Sequence, residues 1–221
     1  MLWDIPNHRR ALNLSLLAKA ISGIPKSKSV PEFQSLSKIP SSIVTKELLD
    51  FLASNGIGRR SNTTIIFSQA DKLNLLLLLI QNGCDAKLLS SKLDWRDFEI
   101  FTSIILEQTS YYCKTNVHLR KPRFQIDIVG VAGKTALIVD CKHWKDMPAH
   151  TRYECATQQR RRARAYRRFD EKIRVTVPIV VTLNEQTQRF VNGVPFIAIN
   201  RLRAFLIDCD AFQDEIFYIS N

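Results

Sequence analysis

Arg123 to Val129 and Thr135 to His143 both follow the two-residue period of a β-strand. A long helical stretch, about Arg152 to Phe169, separates them from two more apolar strands, Val175 to Leu183 and Val194 to Ile199. A helix is predicted before them at Arg96 to Gln108, capped by Asp94 or Asp97, with Phe98, Phe101, Ile104 and Ile105 as its buried stripe. A short helix at Leu202 to Ile207 closes the chain. Strands and helices alternating in this order predict an α/β layer with a mixed central sheet.

The first ninety residues read differently. Helical spacing runs from Asn7 to Ser22, a short segment from Val30 to Lys38 holds two turns, and Pro40 breaks it. Ser41 or Ser42 caps a third helix that runs to Ser54, and Asn55-Gly56 stops it. Ile57 to Phe67 reads as a turn between two short strands, and Gln69 to Gln81 is helical again. Two domains follow, a winged helix-turn-helix-like unit at 1–90 and an α/β unit at 91–221. On the candidate recognition helix Thr45 and Lys46 are the side chains able to meet bases, and Arg59 and Arg60 occupy the wing. The competing use of such a module is protein binding or packing.

The chain carries 32 Lys and Arg against 21 Asp and Glu, a net charge of +11. A field of that sign draws polyanions, and both domains share it, with 11 basic and 6 acidic residues in 1–90 and 21 and 15 in 91–221. DNA is the expected partner. Five cysteines without a CxxC spacing suit reduced thiols in a soluble, cytoplasmic protein. The longest apolar run, Leu75 to Ile80, is too short to span a bilayer, so no membrane partner is expected.

Chemistry concentrates in the two adjacent strands. Asp127 interrupts Ile126 and Ile128, and Asp140 follows Leu137-Ile138-Val139. A carboxylate inside an apolar run is costly unless paired or bound to a cation. Neighbouring strands would bring the two together, and a hard divalent ion relieves their repulsion. Strand parity puts Lys142 on the face of Asp140 and turns Cys141 away. An ammonium beside a metal is what phosphodiester hydrolysis uses. Alone, Asp-x-Lys equally fits a buried structural ion pair. Two further residues join it: Glu99 at the edge of the apolar arc of its helix, and Gln159 in the middle of the inward stripe Cys155, Gln159, Ala163, Tyr166.

The order Phe98-Glu99, Ile126-Asp127-Ile128-Val129, Val139-Asp140-Cys141-Lys142-His143-Trp144 and then Gln159 in a basic helix resembles the PD-(D/E)xK nuclease superfamily. It is most similar to archaeal restriction-endonuclease-like proteins, allied to type IV restriction enzymes and Holliday-junction resolvases. The resemblance spans about residues 94 to 207 and implies a restriction-endonuclease-like core. It implies Asp127, Asp140 and the Cys141 backbone carbonyl as ligands of Mg2+ or Mn2+, with Glu99 as a further acidic ligand. Lys142 is then the catalytic lysine and Gln159 an accessory catalytic residue. Two positions depart from the pattern: Ile126 replaces the motif's proline, and Asp140 stands where relatives more often carry glutamate.

Arg160, Arg161, Arg162, Arg164, Arg167 and Arg168 crowd one helix without alternating acids. Self-repulsion on that scale suits a helix neutralised by phosphate, with Arg162 facing inward beside Gln159. The expected function is a metal-dependent DNA endonuclease of repair, recombination or restriction. The competing readings are a non-catalytic DNA-binding or assembly factor and a protein-interaction factor for a repair complex. A homodimer and a repair or helicase partner remain open.

Overall fold

The computed structural model describes residues 13–61, 64–144, 147–212 and 214–220, and the chain divides into two compact units, Met1–Lys92 and Leu93–Asn221. Residues 7–12 of the first expected helix lie outside the described residues.

The N-terminal unit is helical with one hairpin: α1 (Leu14–Ala20), α2 (Val30–Ser37), α3 (Ser42–Ser54), β1 (Arg59–Ser61), β2 (Thr64–Ile66), α4 (Gln69–Gln81) and α5 (Ala86–Ser90). Serine hydroxyls set three of its helix starts. Ser29, Ser41 and Ser68 each accept the backbone N–H three residues on, and Ser68 and Asp71 form a reciprocal capping box. Lys38, left-handed at φ 54°, ends α2 ahead of Pro40. Leu17, Phe33, Leu49, Leu52, Leu75 and Leu76 are buried in this unit. The short α5 carries too few periodic residues to be predicted.

In the C-terminal unit α6 (Trp95–Gln108) leads into a sheet of β3 (Tyr112–Arg120), β4 (Arg123–Ala132), β5 (Thr135–Lys142), β6 (Val175–Thr182), β7 (Phe190–Val191) and β8 (Val194–Ala198). Its order is β3-β4-β5-β6-β8-β7. The first three strands form an antiparallel meander, β5, β6 and β8 are parallel, and β7 returns antiparallel to β8. The parallel pair β5–β6 is joined by α7 (Ala149–Phe169), and α8 (Ile199–Ile207) follows β8. Asp94 is the cap of α6, accepting from the Asp97 N–H at 2.9 Å.

α6 and α7 cover opposite faces. The α7 side buries Val129, Ala136 and Ile138 against Ala163, Ala165 and Tyr166. Phe98, Phe101, Ile104 and Ile105 of α6 are all buried, and burial of each large side chain is worth roughly 2 kcal/mol. Ile126 and Val129 both belong to the α7-side cluster although three positions apart, so the alternation of β4 shifts around Asp127, opposite the left-handed Asn116 (φ 53°). β5 is paired to β4 only from Ile128 to Ala132. Nearer the hairpin tip, β4 is partnered by β3 alone.

Candidate active site

β4 leaves β5 just where the two aspartates meet. Past the Ile128–Val139 pair no backbone ladder continues, and the Asp127 carboxylate takes its place, Oδ2 accepting the Cys141 N–H at 2.8 Å. Cys141 thus meets the site through its backbone N–H, while burial and the Asp127 charge push its thiol well up against the opposing Thr102 hydrogen bond. Thr102 lies three residues beyond Glu99 on α6, a partner the sequence reading missed.

Asp140, 2% exposed, projects to the α7 side, as does Lys142 two residues on. Both its oxygens hold cations. Oδ2 lies 3.0 Å from Lys142 Nζ, and Oδ1 accepts from Arg162 Nη1 at 3.0 Å. Burial pushes the Lys142 ammonium down, but the charge of Asp140 and its hydrogen bond outweigh this and leave it raised, hence protonated.

Glu99 completes the cluster electrostatically. Partial burial, then the charges of Asp127 and Asp140, raise its carboxyl from 4.5 to about 7. Asp127 is raised too, by burial first and Asp140 second, with the Cys141 N–H pulling the other way. Three carboxyls in mutual repulsion offer an all-oxygen set whose chemistry fits a hard divalent cation. The fit is of charge and donor type: among the described residues no group of three or more His, Cys, Asp or Glu side chains is gathered closely enough to hold an ion.

Gln159 lies, as expected, in the middle of the buried face of α7. It is fully buried, and its Nε2 donates to the carbonyls of Ile138 (2.6 Å) and Ile179 (3.0 Å) on the neighbouring strands β5 and β6. Its Oε1 accepts from Arg162 Nη1 at 3.0 Å. A buried amide must satisfy donors and acceptor alike, and the sheet supplies partners before any substrate does. Gln159 thereby ties Arg162, and through it Asp140, to the sheet.

The six arginines from Arg160 to Arg168 on α7 separate into four groups. Arg162 reaches Asp140. Arg160 and Arg164 lie over the Phe217 ring, at 3.8 and 5.4 Å from its centroid, and Arg160 also donates to the Asn192 carbonyl. Arg167 donates to the Arg174 carbonyl. Arg161 and Arg168 are exposed on the outward side of the helix. So Arg160 and Arg167 spend hydrogen bonds on the protein's own backbone.

In the N-terminal unit Thr45 is buried, its hydroxyl donating to the Ser41 carbonyl, so it cannot read bases. Lys46 shares the exposed face of α3 with Glu47 and Asp50, which blunts its attraction for phosphate. Arg59 is exposed on β1 and helps lower the Asp71 carboxyl, after the Ser68 and Gly58 hydrogen bonds that overcome its burial. Arg60 pairs with Ile65 in the hairpin backbone.

A cleft of about 260 Å3 lined by Phe190, Phe205, Phe212, Arg189 and Arg201 shares no residue with the carboxylate cluster. All five cysteines are free thiols. Among the described residues no helix is long and apolar enough to cross a membrane.

No protein-family model matches this chain, and no curated protein does. Among solved structures it is similar to protein VC1899 from Vibrio cholerae, with 13% identity and a TM-score of 0.38. The match covers 91% of this chain and 51% of that one, so the chain spans about half that structure's length. A likeness of this degree carries no argument about the site.

Proposed function

We propose that residues 93–221 act as a divalent-metal-dependent deoxyribonuclease of the PD-(D/E)xK type, preceded by a winged helix. The observation that carries this reading is the Asp140–Lys142 pair on β5, facing Asp127 of β4, with Glu99 raised to about 7 by its burial first and by the two aspartates second. Glu99, Asp127 and Asp140 would hold Mg2+ or Mn2+, which when bound polarises a phosphoryl oxygen and lowers the pKa of water. The Lys142 ammonium, kept protonated by Asp140, can steady charge on the phosphate. Arg162 orients Asp140, and Gln159 anchors Arg162. In the N-terminal unit the helix–hairpin order α2, α3, β1, β2 supports the winged-helix reading, with Arg59 its exposed basic residue.

One observation favours the second reading, a DNA-binding factor without catalysis: both Asp140 oxygens are already neutralised by Lys142 and Arg162. A single experiment separates the two. Labelled linear, branched and single-stranded DNAs are incubated with the protein and Mg2+ or Mn2+, beside Asp140→Asn and Lys142→Met. Metal-dependent cutting that both variants lose supports the nuclease. Binding without cutting under either metal supports the factor.

A further inference from the structure

We infer that the solvent face of the β3–β4 hairpin is a second contact for the DNA backbone, an arm continuous with the strand that carries Asp127. This rests on the nucleic-acid reading of the same unit.

The hairpin has two unlike faces. Leu119 and Ile126 are buried with Ala163, Ala165 and Tyr166, and Val117 and Phe124 pack on the same cluster. Those anchors hold the hairpin to the body of the unit. Its alternate positions, His118, Arg120, Arg123 and Gln125, are exposed, and so is Lys121 at the tip. Arg120 and Arg123 are direct cross-strand partners, the last pair before the turn, and His118 pairs with Gln125 beside them. Like charges directly opposite on one sheet face cost stability. Nothing nearby in sequence offsets it, because no Asp or Glu occurs between Glu107 and Asp127. Among the described residues no carboxylate forms an ion pair with Arg120, Lys121 or Arg123. A cationic surface assembled against its own repulsion, on a backbone fixed by buried leucine and isoleucine, fits a polyanion better than a protein partner.

Its placement fits the same partner. Arg123 and Asp127 lie on one strand, four positions apart, which is about 13 Å of β-strand. At roughly 3.4 Å of helix axis per nucleotide, an arm at that distance meets phosphates about four nucleotides from one held at the carboxylates. The arm would thus fix the register of the duplex or strand beside the site. The α7 arginines cannot all do so, since Arg160 and Arg167 bond the protein's own carbonyls.

The test is the salt dependence of binding to a labelled DNA, as duplex and as single strand, with EDTA present so that nothing is cut. The Arg120→Gln/Arg123→Gln double variant should reduce the slope of log K against log salt by about 1.8 on duplex, one phosphate contact per arginine. Lys134→Gln/Lys172→Gln removes the same charge from exposed positions outside the arm and should leave the slope within about 0.4 of wild type. Both variants should melt no lower than wild type, because the first removes a repulsive pair. An equal loss of slope in both would mean a diffuse charge effect and overturn the arm. So would an unchanged slope in the arm variant while the wild type binds here and cuts once metal is supplied, and the nuclease reading would then stand. A wild type that binds neither DNA overturns both together. Slope loss on single strands alone assigns the arm to an unpaired strand, and loss on both assigns it to the backbone at large.

Discussion

Replacing Gln159 by leucine distinguishes a positioning role from a catalytic one. The side chain is fully buried and makes three hydrogen bonds, two donated to the Ile138 and Ile179 carbonyls and one accepted from Arg162. Neutral bonds contribute about 1 kcal/mol each net, and one to a charged group roughly 1.5–3. Leucine of similar size returns about 1 kcal/mol of apolar burial, so the net loss is roughly 3 kcal/mol. For a unit of this size that lowers Tm by about 10 °C. The loss should be read in the C-terminal unit, through the fluorescence of Trp95 and Trp144, both partly exposed there. Cleavage at a temperature well below the new midpoint should fall only as far as Asp140 is misdirected by a looser Arg162. A variant that melts within about 2 °C of wild type yet has lost all turnover would refute the reasoning and return Gln159 to direct contact with substrate.

Asp140→Asn should abolish cleavage and also lower the melting temperature, because it strands two cations 26% and 23% exposed; breaking such a buried pair costs roughly 3 kcal/mol. Calorimetry on the metal-free protein reads that loss separately from activity. Glu99 gives a pH signature of defined sign. Its folded-state value, about 7, lies above the ordinary 4.5, so the folded protein holds a proton the unfolded chain has released, and stability declines as pH rises across that window. Glu99→Gln should flatten this decline in urea titrations under EDTA, leaving the smaller slope due to Asp127. An unchanged slope would mean that neither burial nor the aspartates raise the Glu99 carboxyl. The fragment 93–221 should fold by itself, since its sheet is covered by its own helices; a fragment without a cooperative melt would show that its core needs the N-terminal unit.

Where periodicity and chemistry coincide, the sequence is legible. The Asp-interrupted strands are recognisable because an ionised group inside Ile and Val is costly, and they do bring Asp127 and Asp140 into electrostatic contact. α3, α4 and α6 begin at the Ser or Asp residues that cap them. β3 escaped because it is an edge strand: Tyr112, Lys114, Thr115, Asn116, His118 and Arg120 are exposed, so only Val117 and Leu119 mark its period. The two-residue β7 is too short to show a period at all. That Gln159 is buried is legible in the stripe of α7, but its partners, the Ile138 and Ile179 carbonyls and Arg162, are not. The stripe of a helix gives its facing and cannot tell whether strand carbonyls or a ligand wait opposite. The partners of Arg160 and Arg164 were invisible for a related reason, since Phe217 lies more than fifty positions away along the chain.

The parting of β4 from β5 at Ile128 also bears on how such a chain can change over generations. Beyond that point the β3–β4 hairpin is in register only with itself. Two residues added between Arg120 and Arg123, one to each strand, would lengthen the arm by about 3.3 Å without rotating any side chain to the other face. One residue inserted between Asp127 and Gly130 would instead flip the carboxylate away from Cys141. Reach is free to vary there while the acidic centre is not, so homologous chains should differ in length at Lys121-Pro122 and be invariant in length from Asp127 to Gly130.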